Sequence, residues 1–217
     1  MPYISLGMPD LISRAHRLHD FQKAGHHMGA SVAVFAAMAT EAFINDFSLM
    51  LKQFAPHEKD PKLLAANSLL PSLEAKVSLS VKYELLYYIL ALGPFPKGGA
   101  IWNNFDLLIK IRNNIAHFKS SVVEDTFHTD HSYSHKVHRE IITELNNKKL
   151  LARDVKHSPY NWTMLLDESE PFAAWSIKTA QEIVILMCDV VPESQFKIAF
   201  IPLCKKGSSL MGGNRQL

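Results

Sequence analysis

Apolar residues recur at three- and four-residue spacing along nearly the whole chain, the period of an α-helix rather than of a strand. Leu11, Ala15, Leu18 and Phe21 or Gln22 share one side of a first helix, capped by Asp10 and running to about Ala24. Val34, Phe35, Met38, Ala42, Asn45, Leu49 and Phe54 mark a long second helix from about His27 to Phe54, which Pro56 stops. A third is predicted from about Ser72, with Pro71 at its start, through Ala75, Leu79, Leu86 and Leu90 to the break at Gly93-Pro94. A fourth follows Gly98-Gly99 and carries Ile101, Phe105, Leu108, Ile111, Ile115 and Phe118. A more polar helix is predicted from about Ser134 to Lys149, and a strongly apolar last one from Phe172 to Val190, ended by Pro192.

Between the fourth and last of these helices the stretches Val122 to Tyr133 and Leu150 to Pro171 are mixed and polar. No run alternates strictly enough to support a sheet, although Phe196 to Leu203 could form a short strand. The expectation is an all-α fold, an antiparallel helical bundle forming a single domain over residues 1–204. A polar insertion at about 121–171 precedes its last core helix, and residues 205–217 form a flexible Gly- and Ser-containing tail.

A length of 217 residues suits one such domain. With 23 Lys and Arg against 21 Asp and Glu, the net charge is +2, which excludes a protein that holds nucleic acid by broad counterion release. Any RNA contact must be local. Two cysteines, Cys188 and Cys204, are too few for a disulfide scaffold and lack metal-ligand spacing, which suits a reducing compartment. The start of the chain has no secretory pattern, and the uncharged run Met28 to Thr40 falls short of the roughly 20 residues that cross a bilayer. A soluble, cytoplasmic protein without membrane contact is therefore expected. There is no phosphate-cradling Gly-rich loop and no Gly-x-Ser-x-Gly elbow.

One stretch carries candidate chemistry, Leu107-Leu108-Ile109-Lys110-Ile111-Arg112-Asn113-Asn114-Ile115-Ala116-His117-Phe118. On a helical wheel Arg112 falls among Phe105, Leu108 and Ala116, in or beside the apolar stripe. A guanidinium stays charged, and burying it alone costs several kcal/mol (roughly, by the desolvation of one ion). Arg112 must then meet a carboxylate or open onto a wet groove. Glu41 is the only acid between Phe21 and Asp46, so an Arg112–Glu41 contact is expected. Asn113 and His117 are four apart and share a face, which would let the amide orient the imidazole. Arg112 and His117, five apart, diverge by about 140° on an ideal helix. They converge only where the helix ends or distorts near Ile115, or where a second subunit completes the site. A structural salt bridge and a structural histidine are the plain alternatives.

The run Arg112-Asn113-Asn114-Ile115-Ala116-His117, behind an apolar helix, resembles the signature of the HEPN superfamily, an Arg followed after four to six residues by a His, often with Asn next to the Arg. The segment Glu41-Ala42-Phe43-Ile44-Asn45 is similar to the acidic, Asn-containing helix of many members, and the Ser72-Leu73-Glu74-Ala75-Lys76 segment also fits. The resemblance spans about Asp10 to Ser120 and Phe172 to Val190. It implies a HEPN-like bundle and, in active members, a metal-independent endoribonuclease of toxin or defence type that needs no cofactor. Arg112 would hold the scissile phosphate and stabilise its growing charge, while His117 would move protons. Asn113 would position the imidazole or the phosphate, with Glu41 in support. RNA would be the substrate, cut to a 2′,3′-cyclic phosphate. The active form would be a homodimer, and an antitoxin or other neighbouring-gene partner is a further possibility. Other HEPN domains are non-catalytic scaffolds or bind nucleotides or partners, and the near-neutral charge keeps that alternative open.

Two other features are weaker. His128, His131, His135 and His138 form a ladder that could place imidazoles on one helical face for a metal, although no Cys or Glu completes the ligand set. Trp102 and Trp162 could stack on bases, but such residues are more often core or interface anchors.

Overall fold

The structure is a computed structural model that describes residues 6–73, 77–116, 136–152 and 162–209. These residues form nine α-helices and no strand: α1 (Gly7–Lys23), α2 (Gly29–Phe54), α3 (Pro61–Leu73), α4 (Leu79–Ala91), α5 (Ala100–Ala116), α6 (Lys136–Asn147), α7 (Trp162–Asp167), α8 (Glu170–Asp189) and α9 (Gln195–Ser209), with a 3-10 turn Ala55–His57 after α2.

The longest helix, α2, organises the rest. Its first half buries Ala30, Ala33, Ala36, Ala37 and Ala39, small side chains that let neighbouring helices approach closely. Its second half buries Phe43, Ile44, Phe47, Met50 and Leu51. Phe43 and Phe47 join an aromatic chain. Phe200 lies 5.8 Å from Phe43 and Phe196 4.8 Å from Phe47, while Tyr83 lies 6.2 Å from Phe43 and 4.8 Å from Phe105. The Tyr83 hydroxyl donates to the Thr40 carbonyl at 2.9 Å, so the one polar atom of that buried ring is satisfied.

Helix directions follow from which residues meet. The Gly7 and Met8 amides at the start of α1 reach Asp46 late in α2, and Gln22 at its end reaches Met28, so α1 runs antiparallel to α2. Phe196 packs on Phe54 and Phe47 and Phe200 on Phe43, which makes α9 antiparallel as well. In contrast, α8 begins beside the start of α2, where Asp167 accepts from the Ala30 amide at 2.9 Å, and the two central helices run the same way. The bundle is all-α with mixed directions rather than wholly antiparallel.

Three sequence expectations need correction. The third helix is two: α3 covers Pro61–Leu73 with Pro71 inside it, and α4 begins at Leu79, where the Ser78 hydroxyl accepts from the Val81 amide at 3.4 Å. The start signal of α3 is Asp60-Pro61, a carboxylate that accepts from the Lys62 amide at 2.8 Å and a proline at the first helical position. The stretch Phe196 to Leu203 is helical, because Phe196, Phe200 and Cys204 recur at four-residue spacing and all face the core. As α9 continues to Ser209, the first residues of the expected tail are helical; residues 210–217 lie outside the described ones.

The expected insertion at 121–171 is more than a polar excursion. Within it, α6 buries Ile141, Ile142 and Leu145, and α7 buries Trp162, Leu165 and Leu166. The carbonyl of Leu166 sits against Gly29, where a Cβ would come within 2.0 Å of its oxygen. The segment Gly29–His57 is long and apolar enough to span a membrane by length and composition, but most of its apolar window is buried among the other helices.

Candidate functional site

The last three turns of α5 carry the candidate chemistry. Trp102, Phe105, Leu107, Leu108 and Ile111 are buried, which fixes the helix against α2 and α8 and sets the direction in which Arg112 leaves it. Arg112 emerges at the edge of that apolar stripe beside α2. Its Nη2 donates to Glu41 Oε2 at 2.6 Å, and its Nη1 donates to Asn113 Oδ1 at 3.0 Å. The expected Arg112–Glu41 contact is present. The pair is wet: the arginine side chain is 28% exposed and the glutamate 47%.

That exposure decides what the pair can do. A solvated ion pair contributes roughly 0–1 kcal/mol, because each charge keeps much of its hydration. Glu41 therefore orients the guanidinium without locking it, and an incoming anion can displace the carboxylate at small cost. Asn113, expected to position the imidazole or the phosphate, is engaged through its carbonyl oxygen by Arg112. Asn114 turns back along the helix, its amide donating to the Lys110 carbonyl at 2.8 Å.

His117 lies outside the described residues, as do His128, His131 and His135. Helix α5 is described through Ala116, and the expected end or distortion near Ile115 runs into residues outside the described ones. His138 is described, and its ring stacks on Trp162 with centroids 4.6 Å apart and planes 20° apart. Among the described residues no group of three or more His, Cys, Asp or Glu is arranged to hold a metal.

Glu41 also belongs to an open groove of about 360 Å³ along α2, lined by Glu41, Asn45, Ser48, Leu49 and Lys52 with Lys82 from α4. The groove brings Lys52 of α2 and Lys82 of α4 to the same surface as Glu41. Lys52 lies on the Glu41 face of α2 beyond Asn45 and Ser48, a placement that helical spacing alone gives. Lys82 enters from α4, and no local sequence pattern announces that neighbour.

The aromatic candidates are structural. Trp102 is buried against Phe95 at 4.6 Å and Phe105 at 5.7 Å, and Trp162 is buried beneath His138. The cysteines are buried as well, and the hydrogen bond with Cys188, reinforced by burial, pushes the Cys204 thiol far above its usual range. Neither sulfur is primed as a nucleophile. Comparison of the chain with models of known protein families, with curated proteins and with solved structures finds no match to any of them.

Proposed function

We propose that this protein is a HEPN-type, metal-independent endoribonuclease of toxin or defence type, acting in the cytoplasm as a homodimer. A neighbouring-gene partner, such as an antitoxin, would restrain it. The observation that carries the reading is Arg112: a partly exposed guanidinium, aimed by Glu41 and Asn113, five residues before His117 and next to the groove that Glu41 lines.

In the proposed reaction Arg112 exchanges Glu41 for the scissile phosphate and stabilises the charge that builds on its non-bridging oxygens. His117 removes the proton of the ribose 2′-hydroxyl or delivers one to the departing 5′-oxygen. The 2′-oxygen forms a bond to phosphorus as the bond from phosphorus to the 5′-oxygen breaks. The products are a 2′,3′-cyclic phosphate and a 5′-hydroxyl. DNA lacks the nucleophile and is spared.

A second reading, a non-catalytic HEPN-like scaffold or a nucleotide- or partner-binding module, is favoured by one observation: both terminal nitrogens of Arg112 already have partners within the chain. Purified protein incubated with mixed RNA in chelator separates the two. The nuclease reading expects cuts ending in cyclic phosphate, reduced roughly 10²–10⁴-fold in His117→Ala, the usual size of acid–base catalysis. Arg112→Ala cutting at the parental rate would falsify the assignment. Intact RNA supports the module, and cutting that disappears in chelator transfers the chemistry to the histidine ladder.

A further inference from the structure

We infer that the outer face of α4 is a self-association surface, on which two copies of this chain pair antiparallel through Val81, Leu85, Tyr88 and Leu92. The inference stands on α4 alone and does not depend on the nuclease reading. Helix α4 is apolar on two opposite faces. Tyr83, Leu86 and Leu90 point into the core and are at most 1% exposed. On the other side Val81, Leu85, Tyr88 and Leu92 follow one another at steps of four, three and four, which keeps them in one narrow stripe. Leu85 is half-buried, whereas Val81, Tyr88 and Leu92 are 39%, 59% and 71% exposed. No charged residue interrupts the stripe. Contiguous exposed apolar surface of this kind marks contact sites.

Leu92 sharpens the point. It ends α4 in the left-handed region, at φ 55° and ψ 36°, with most of its side chain in water. Glycine adopts that conformation without strain and would expose no apolar surface. A leucine there gains its contacts from outside the chain.

A second copy fits this face. The spacing reads the same in both directions, so a two-fold axis between Leu86 and Tyr87 sets Val81 against the partner's Leu92 and Leu85 against the partner's Tyr88. An antiparallel two-fold also lays like flank on like flank. Glu84, three residues after Val81 and four before Tyr88, borders the stripe and holds Lys97 at 2.7 Å, with the lysine side chain still 57% exposed. Closing the two rims gives each Lys97 a second carboxylate, the partner's Glu84. An acidic or basic ligand finds no opposite charge on the stripe itself. The stripe is about 16 Å long and a helix about 10 Å wide, well under the roughly 800 Å² per partner of a standard interface, so the dimer is weak and reversible.

The test is sedimentation velocity from about 1 to 300 μM, the range in which a small interface assembles. The parent's mass should rise from that of one chain towards that of two. Tyr88→Lys and Leu92→Gly should each weaken association roughly tenfold or more, the effect of losing an interface anchor. Leu92→Gly should melt no lower than the parent, because glycine relieves the left-handed backbone, so its loss of association is not a loss of fold. Ile198→Lys, at an equally exposed apolar position on α9, should dimerise as the parent does. A parent that stays monomeric throughout overturns the inference, as does one that floats with phosphatidylcholine vesicles through this face instead. Dimers that persist unchanged in both α4 variants overturn it too, by placing the subunit contact elsewhere.

Discussion

Gly29 shows how tightly one position can be specified. A Cβ there would lie 2.0 Å from the carbonyl oxygen of Leu166 and 2.9 Å from its carbon, both backbone atoms that cannot swing aside. Gly29→Ala should therefore cost about 1–3 kcal/mol or more by overpacking. Gly98→Ala, with nothing within 4 Å of the new methyl, should stay within about 0.5 kcal/mol. Thermal denaturation compares them, and equal midpoints would mean that α7 does not press on α2. At Arg112 the magnitudes run the other way. Glu41→Gln removes a solvated ion pair and should change stability by less than about 1 kcal/mol. On the proposed reading it should also tighten RNA binding, because the guanidinium loses the carboxylate that competes with phosphate; weaker binding would show that Glu41 is needed to aim the arginine. This contact was legible in the sequence because a guanidinium in an apolar stripe demands an acid, and Glu41 is the only acid between Phe21 and Asp46. The rest of the groove was not, since Lys82 enters it from another helix and no local pattern announces that.

At the scale of elements, two helices lack side-chain caps of their own and borrow them. Asp46 in α2 accepts from the Gly7 and Met8 amides at 3.1 and 2.8 Å, capping α1, and Asp167 at the end of α7 accepts from the Ala30 amide, capping α2. Removing such a cap costs about 0.5–2 kcal/mol, so Asp46→Ala should lose that much in chemical denaturation. The pH dependence has a definite sign. Burial raises the Asp46 carboxyl above its ordinary range against the opposing pull of the two amides, and it raises Asp167 likewise. A group whose folded pKa exceeds its unfolded value contributes most below the unfolded value, and that contribution is lost as pH rises through the folded one. Asp46→Asn, which keeps an acceptor without the charge, should gain on the parent as pH rises from 3.8 towards 7. A constant difference across that window would remove Asp46 as the cause. His16 moves oppositely: burial, aided by nearby His19, lowers its pKa, so its contribution is complete above about 6.5 and lost on acidification. Helix periodicity was readable for α2, α5 and α8 because each buries a continuous apolar face. Borrowed caps leave no mark beside the helix they serve, and Pro71, which reads as a helix start in sequence, lies inside α3, whose start is Asp60-Pro61.

For the whole molecule, the all-α class follows from a helical period that persists along the chain, whereas the parallel course of α2 and α8 depends on tertiary contacts far apart in sequence, such as Asp167 on Ala30. The insertion holds that end of the bundle together, a role its polar composition concealed. The same limit applies to the two signature residues. With α5 helical through Ala116, Arg112 and His117 point about 140° apart if the helix simply continues, and one chain then struggles to bring both to a phosphate. On the proposed reading, a two-fold dimer would solve this by pairing the arginine of one subunit with the histidine of the other. Mixing Arg112→Ala with His117→Ala, each inactive alone, tests it. In a mixed dimer the first chain supplies its histidine and the second its arginine, so one of the two shared sites is complete. With random assortment half the dimers are mixed, and the mixture should recover about a quarter of parental cleavage. If each site draws both residues from a single chain, no dimer contains an intact one and the mixture stays as inactive as its components. The salt and concentration at which the recovered activity disappears then report the strength of the subunit contact itself.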